Sequence, residues 1–96
     1  MIVHIVMFKF KEENKKENIL KTKKLLEQLN SKIKELISIE IGINFDQAQR
    51  AMDMSIYTKF KSQEDLNNYS TNSEHLKVNE FIKEVTEYTK VSDYCI

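Results

Sequence analysis

The sequence predicts an α+β fold with the element order β-α-β-β-α-β, a four-stranded antiparallel sheet carrying two helices on one face. Three observations predict it. The first ten residues form a β-branched and aromatic run, which favours a strand. Residues 37–45 and 54–60 alternate with a period of two, the mark of half-buried strands. Residues 19–36 and 78–85 repeat their apolar positions at helical spacing. Ninety-six residues suffice for one such domain and one modest core.

The elements follow in order. Strand one, Ile2–Phe10, has six apolar residues among its first seven. A charged stretch follows, and then Ile19, Leu20, Leu25, Leu26, Leu29, Ile33 and Leu36 mark an amphipathic helix. Strand two runs Ile37–Phe45 and contains the only glycine, Gly42; an isolated strand glycine suggests a bulge or close backbone approach. Asn44 at its end reads as a turn residue. The polar stretch Asp46–Asp53 reads as a loop. Strand three, Met54–Phe60, sets Met54, Ile56, Thr58 and Phe60 on one face.

Ser62 with Asp65 three residues on forms a variant capping box for a short helix to about Tyr69. Residues 70–73 interrupt it, and Asn72 or Ser73 can cap a second helix carrying Val78, Phe81, Ile82 and Val85 on one face. Thr89–Ile96 closes the chain as the fourth strand. This order is the ferredoxin-like split βαβ arrangement. Right-handed crossovers put both helices on the same side of the sheet.

Charge and cysteine content exclude several functions. Fifteen basic and fifteen acidic side chains cancel, so the basic excess expected of a nucleic-acid binder is missing. Lys9 to Lys24 nevertheless holds seven Lys and three Glu, and Ser62 to Asp93 holds three Lys and seven acids. These opposite regions can attract within one fold or between two copies. The lone Cys95 can form neither an internal disulfide nor a cysteine-based zinc site, and suits a reducing cytoplasm. No apolar run of about 18 residues spans a bilayer, and the N-terminus lacks the layout of a signal peptide, so neither membrane nor secretion is expected. Glycine-rich phosphate loops and close His spacings for metal are absent, so no cofactor and no metal are expected.

Strand one is apolar on both sides: Ile2, His4, Val6, Phe8 and Phe10 on one, Val3, Ile5 and Met7 on the other. Helices cover only one side, and exposed apolar patches mark interfaces. Burying Val3, Ile5 and Met7 is worth roughly 1.5–3 kcal/mol each. The economical solution is a homodimer packed sheet to sheet with two-fold symmetry. The competing arrangement is a monomer whose C-terminal tail covers Ile5 and Met7.

Four motifs, each weak alone, occur together: His4-Ile-Val-Met-Phe-Lys9, Gly42-Ile-Asn44, Tyr69 with His75, and Asp93-Tyr94. With them the whole chain, residues 1–96, resembles a single stress-responsive A/B barrel domain, a dimeric α+β barrel family. The family often has His-Pro-x-His before the second helix; here the stretch is Asn72-Ser-Glu-His75, without the first His and the Pro. The resemblance implies a dimeric barrel and, through a plant relative that is a polyketide cyclase, a His and a Tyr that promote an intramolecular aldol condensation. Its Tyr-to-His spacing of six is reproduced by Tyr69 and His75. The resemblance also implies roles for His4 and Asp93. Some monooxygenases of related barrel families use Trp, and this chain has none.

The residues themselves support a similar reading. His75 lies three before Val78 and seven before Ile82, on the inward stripe of its helix. His4 shares a strand face with Val6 and Phe8. If that face meets the helices, both histidines enter one cavity, with Val6, Phe8, Ile39 and Ile82 as its lining. There His75 can act as general base, Tyr69 can donate to a carbonyl oxygen, and Asp93 can fix an imidazole tautomer. Equally, His75 can be a hydrogen-bonded core residue, Tyr69 a core-edge ring, and Asp93 a lysine partner. Two function classes therefore stand: a small dimeric enzyme or pocket protein acting on a carbonyl-bearing hydrophobic molecule, by cyclase-like lyase or other proton-transfer chemistry, and a noncatalytic stress-related dimerisation or ligand-binding module. A hollow of a few hundred Å³ between helices and sheet, with the His and Tyr facing it, separates the first from the second.

Overall fold

A computed structural model describes residues 1–96. The elements are β1 (Ile2–Phe10), α1 (Lys15–Gln28), β2 (Ser38–Ile43), β3 (Met54–Phe60), α2 (Gln63–Thr71), α3 (Ser73–Val85) and β4 (Thr86–Cys95), with a 3-10 turn, Leu29–Ser31, after α1. The strands form one sheet in the order β2-β3-β1-β4, and all neighbours are antiparallel. The helices lie on one face, with α1 and α3 in contact.

Register assigns the two faces. On the helix side, one row runs Ile39, Thr58, His4, Asp93, and the next Ile41, Ile56, Val6, Val91. The core lies here, built on Phe8, Phe10, Ile56 and Phe60 from the sheet, Leu26 from α1 and Ile82 from α3. The free face carries Val3 between Lys59 and Tyr94, Ile5 between Tyr57 and Ser92, and Met7 between Ser55 and Lys90. Of the three apolar side chains expected to need a partner there, Val3 is already fully buried, Ile5 is half-buried, and Met7 is 38% exposed. Larger neighbours on adjacent strands flank the short Val3 side chain, so a single chain suffices to cover it. The C-terminal segment lies beside β1 in the sheet and does not cross over Ile5 and Met7.

Three local features differ from the sequence expectation. Strand β4 begins at Thr86, not Thr89. The Thr86 hydroxyl donates to the Ile82 carbonyl at 2.8 Å, and its N–H does the same, so α3 passes into β4 without a loop. Gly42 sits in a regular stretch of β2, and a Cβ there would meet nothing within 4 Å, so neither a bulge nor close packing explains it. The helix expected to carry Ile33 and Leu36 ends at Gln28, so both are buried beyond it, and the basic stretch Lys9–Lys24 reaches the C-terminal half through Lys21, whose ammonium lies 4.3 Å above the Phe81 ring.

Asp53 ties the start of β3 to its neighbours. Its carboxylate accepts from the Phe10 N–H at 2.7 Å and pairs with Lys15 at 3.2 Å, and its own N–H donates to the Phe8 carbonyl at 2.8 Å. Asn44 forms an Asx turn, its Oδ1 accepting from the Asp46 N–H at 3.0 Å.

Candidate active site

Tyr69 and His75 come from consecutive helices separated by one residue. Ser62 caps α2, its hydroxyl accepting from the Asp65 N–H at 3.1 Å. Asn72 then serves both helices. Its N–H donates to the Tyr69 carbonyl at 3.2 Å, and its Oδ1 accepts from the Glu74 N–H at 2.8 Å. This gives the altered stretch before His75 a physical role: the residue standing where the family often has a histidine is a strong N-cap. The short link sets the two rings side by side, with centroids 4.5 Å apart.

The sheet supplies the opposite wall. His4 lies on the helix-covered side of β1, and the Thr58 hydroxyl donates to its carbonyl at 2.8 Å. Its ring meets Phe60 edge-on at 6.4 Å, and Phe60 packs on Tyr69 at 5.0 Å. Four rings thus run in sequence from His4 through Phe60 and Tyr69 to His75. Asp93 is His4's neighbour across the β1–β4 ladder, and its Oδ1 contacts His4 Nδ1.

Between these walls lies a cavity of about 220 Å³. His4, Tyr69 and His75 line it, with Val6, Phe8 and Ile82. Asp93 is not in the lining and reaches the cavity only through His4. Ile39, expected as lining, is not there either. It shares His4's row but stands on β2, at the opposite edge of the sheet, and is half-buried against the core. The cavity extends instead toward β4, where Thr89 and Val91 line it. Leu26, Ile56, Ser70, Asn79, Thr89 and Val91 complete the wall and were not singled out from the sequence. Asn79 carried a signal, falling one turn after His75; Thr89 and Val91 share Asp93's parity on β4.

Burial sets the proton affinities. It pushes the Tyr69 phenol up to about 12, so the hydroxyl keeps its proton. It also pulls His75 below the ordinary histidine value; the nearby Ser70 carbonyl opposes this, and the charge of His4 adds to it. The Ser70 carbonyl does not reach hydrogen-bond geometry with His75 Nδ1, which is buried without a partner. His75 is therefore neutral at pH 7, and a neutral imidazole can take a proton.

A second hollow, about 470 Å³, lies on the free face of the sheet between Met7, Gly42, Ser55 and the loop that carries Phe45 and Arg50. It holds neither histidine nor tyrosine. No cluster of His, Cys, Asp and Glu offers a metal its ligands, and no helix is long and apolar enough to cross a membrane.

The fold recurs among solved structures. A dimeric protein of unknown function with a ferredoxin-like fold from Bacteroides fragilis is 25% identical, with a TM-score of 0.82 over 99% of this chain and 95% of that one. A protein from Arabidopsis thaliana is 17% identical, with a TM-score of 0.89 over 100% and 95%. The hydroxynitrile lyase from Passiflora edulis is 20% identical, with a TM-score of 0.88 over 99% and 92%. No curated protein matches the sequence. The family model for the stress responsive A/B barrel domain matches residues 2–96. With its four-stranded sheet, its helices on one face and this match across nearly every residue, the chain belongs to the stress-responsive A/B barrel domain family.

Proposed function

We propose that the protein binds a carbonyl-bearing hydrophobic small molecule in the 220 Å³ cavity and moves a proton at the carbon next to the carbonyl. The observation that carries this reading is the pairing of Tyr69 and His75, rings 4.5 Å apart, on the wall of a largely apolar hollow. With Nδ1 sealed away, Nε2 of neutral His75 is the base. It takes the proton, the C–H electron pair moves into the carbon–carbon bond, and the carbonyl π pair moves onto oxygen. The Tyr69 hydroxyl donates to that oxygen and stabilises its charge in a low-dielectric site. The resulting enolate either attacks a second carbonyl of the same molecule or takes a proton back. His4, held by Asp93, fixes the far wall. The same fold carries a lyase in Passiflora edulis.

The working unit in this proposal is a cytoplasmic homodimer, each copy one domain over residues 1–96. Support comes from the free face, where Met7, Tyr88 and Tyr94 are exposed, and from the dimeric proteins that share the fold. A noncatalytic ligand-binding module is the second reading. It takes support from Tyr69, which at 3% exposure packs between Phe60 and His75 as a core ring does.

Exchange of the methyl protons of acetophenone in D2O, followed by NMR, tests the first reading. Wild-type protein is expected to accelerate exchange, and Tyr69→Phe and His75→Gln to lose the effect. Exchange at the buffer rate with folded wild-type protein rejects proton transfer and leaves the binding module.

A further inference from the structure

A shallow groove of about 370 Å³ runs between α1 and the end of β2, lined by Ile19, Leu20, Ile43 and the stems of Lys15 and Lys16. Ile43 shares the parity of Ile39 and Ile41, so the groove lies on the helix side of the sheet. Leu20 is 54% exposed, Ile43 is 42% exposed, and Phe45, two residues on, is 95% exposed. Phe45 and Ile19 line an adjoining hollow, so the patch is continuous. Phe45 is held outward by its neighbours: Asn44 accepts from the Asp46 N–H at 3.0 Å and donates through Nδ2 to the Asp46 carbonyl at 2.6 Å. Large apolar side chains this open and this close together mark an interaction surface.

Charge says what meets it. No acid lines the groove. Lys16 and Lys24 stand one turn before and after Leu20 on α1, both exposed, with Lys23 beside them and Glu17 as the single acid around Leu20. Lys15 pairs with Asp53 and Glu12, and Lys23 with Glu27, whereas Lys16 and Lys24 pair with no acid. A second copy fits poorly here. The acids of residues 62–93 lie on other elements, so such a contact joins unlike surfaces and runs on without end unless a ring closes. A shallow apolar strip with a protruding ring and free ammonium groups suits a deformable apolar layer topped by anions.

We propose that this patch is a docking surface for an anionic lipid bilayer. Phe45, Leu20 and Ile43 enter the boundary between headgroups and acyl chains, and Lys16 and Lys24 meet the headgroup phosphates. The protein rests on the bilayer, and no helix is long and apolar enough to cross it. None of these residues lines the cavity of Tyr69 and His75, so docking leaves that site free.

Vesicle flotation of the full chain tests this. Vesicles of equal parts phosphatidylglycerol and phosphatidylcholine are expected to bind wild type at least about tenfold more tightly than phosphatidylcholine alone, since each lysine at an anionic surface contributes a factor of about five. Replacing both Lys16→Gln and Lys24→Gln is expected to remove most of that preference. Phe45→Gln and Leu20→Gln are each expected to weaken binding by about tenfold and to keep the preference. Circular dichroism checks folding. Light scattering checks the oligomeric state, because Phe45 also borders the hollow on the free face. Wild type that stays free of anionic vesicles, or binds both kinds equally, overturns the proposal. So do folded Phe45→Gln and Leu20→Gln variants that bind as wild type does. A folded Leu20→Gln variant that changes the oligomeric state makes the patch a contact between copies and overturns it as well.

Discussion

His4 and Asp93 stand opposite one another across the β1–β4 ladder, 89 residues apart in sequence, and their side chains meet through Nδ1 and Oδ1. The contact lies at the rim of the cavity, with the Asp93 side chain 45% exposed. Pairs this open to water contribute at most about 1 kcal/mol. Asp93→Asn is therefore expected to leave thermal unfolding almost unchanged. It is expected to slow proton exchange on a bound ketone while altering the tautomer of His4, seen in its ring nitrogen NMR shifts. A large loss of stability with unchanged His4 shifts would make the pair a structural clamp.

Tyr69→Phe deletes one hydroxyl and keeps the ring that packs 5.0 Å from Phe60. Stability is expected to change by less than about 1 kcal/mol, because no packing volume is lost. Removing a single donor to a developing oxyanion typically costs a factor of about 10²–10³ in rate. Ketone proton exchange should fall by that order while ketone affinity changes only severalfold. Equal losses in affinity and rate would mean that the hydroxyl binds the ground state alone.

Burial lowers the proton affinity of His75, with the Ser70 carbonyl opposing and His4 adding to the effect. The unfolded chain takes up this proton near pH 6.5, and the folded chain only at lower pH. The folded state therefore has its full stability from this group above pH 6.5 and loses it as pH falls toward the lowered native value. Urea unfolding at pH 7.5, 6.0 and 5.0 is expected to show this decline, and His75→Gln to remove that part of it. The acid limb of any proton-transfer activity should likewise fall below pH 6.5. An NMR titration that places His75 at or above 6.5 contradicts both expectations.

Met7 projects from the free side of the sheet beside Ser55 and Lys90. Met7→Glu sets a charge at the centre of the proposed sheet-to-sheet interface, where desolvation without a partner costs several kcal/mol. Light scattering is expected to report a dimer for the wild type and a monomer for the variant at micromolar concentration, a rise of over about a hundredfold in Kd. A variant that stays dimeric places the interface elsewhere.

The architecture was legible because alternation and helical spacing are strong signals in this chain. Ile39, Ile41 and Ile43 alternate on β2, and Met54, Ile56, Thr58 and Phe60 on β3, so their inward faces follow from parity alone. What parity cannot convey is position across the sheet. Ile39 and His4 share a row, yet β3 stands between them, and only strand order shows that the hollow extends toward β4. The start of β4 at Thr86 was not legible, because two hydrogen bonds from Thr86 to the Ile82 carbonyl replace the loop that a helix-to-strand change normally requires. Val3 could not be seen as covered, because its cover comes from residues 59 and 94, far along the chain. Asn79 looks like any polar residue on a helix until the position of the cavity is known.

Asn72 closes one helix and opens the next, with φ −62 and ψ 136 as the sole extended residue between them. The relative placement of the phenol and the imidazole therefore depends directly on one pair of backbone torsions. Sequence drift elsewhere can reshape the hollow and its ligand while this hinge preserves the two rings as a unit, and replacing Asn72 alone is a way to retune them without touching either one.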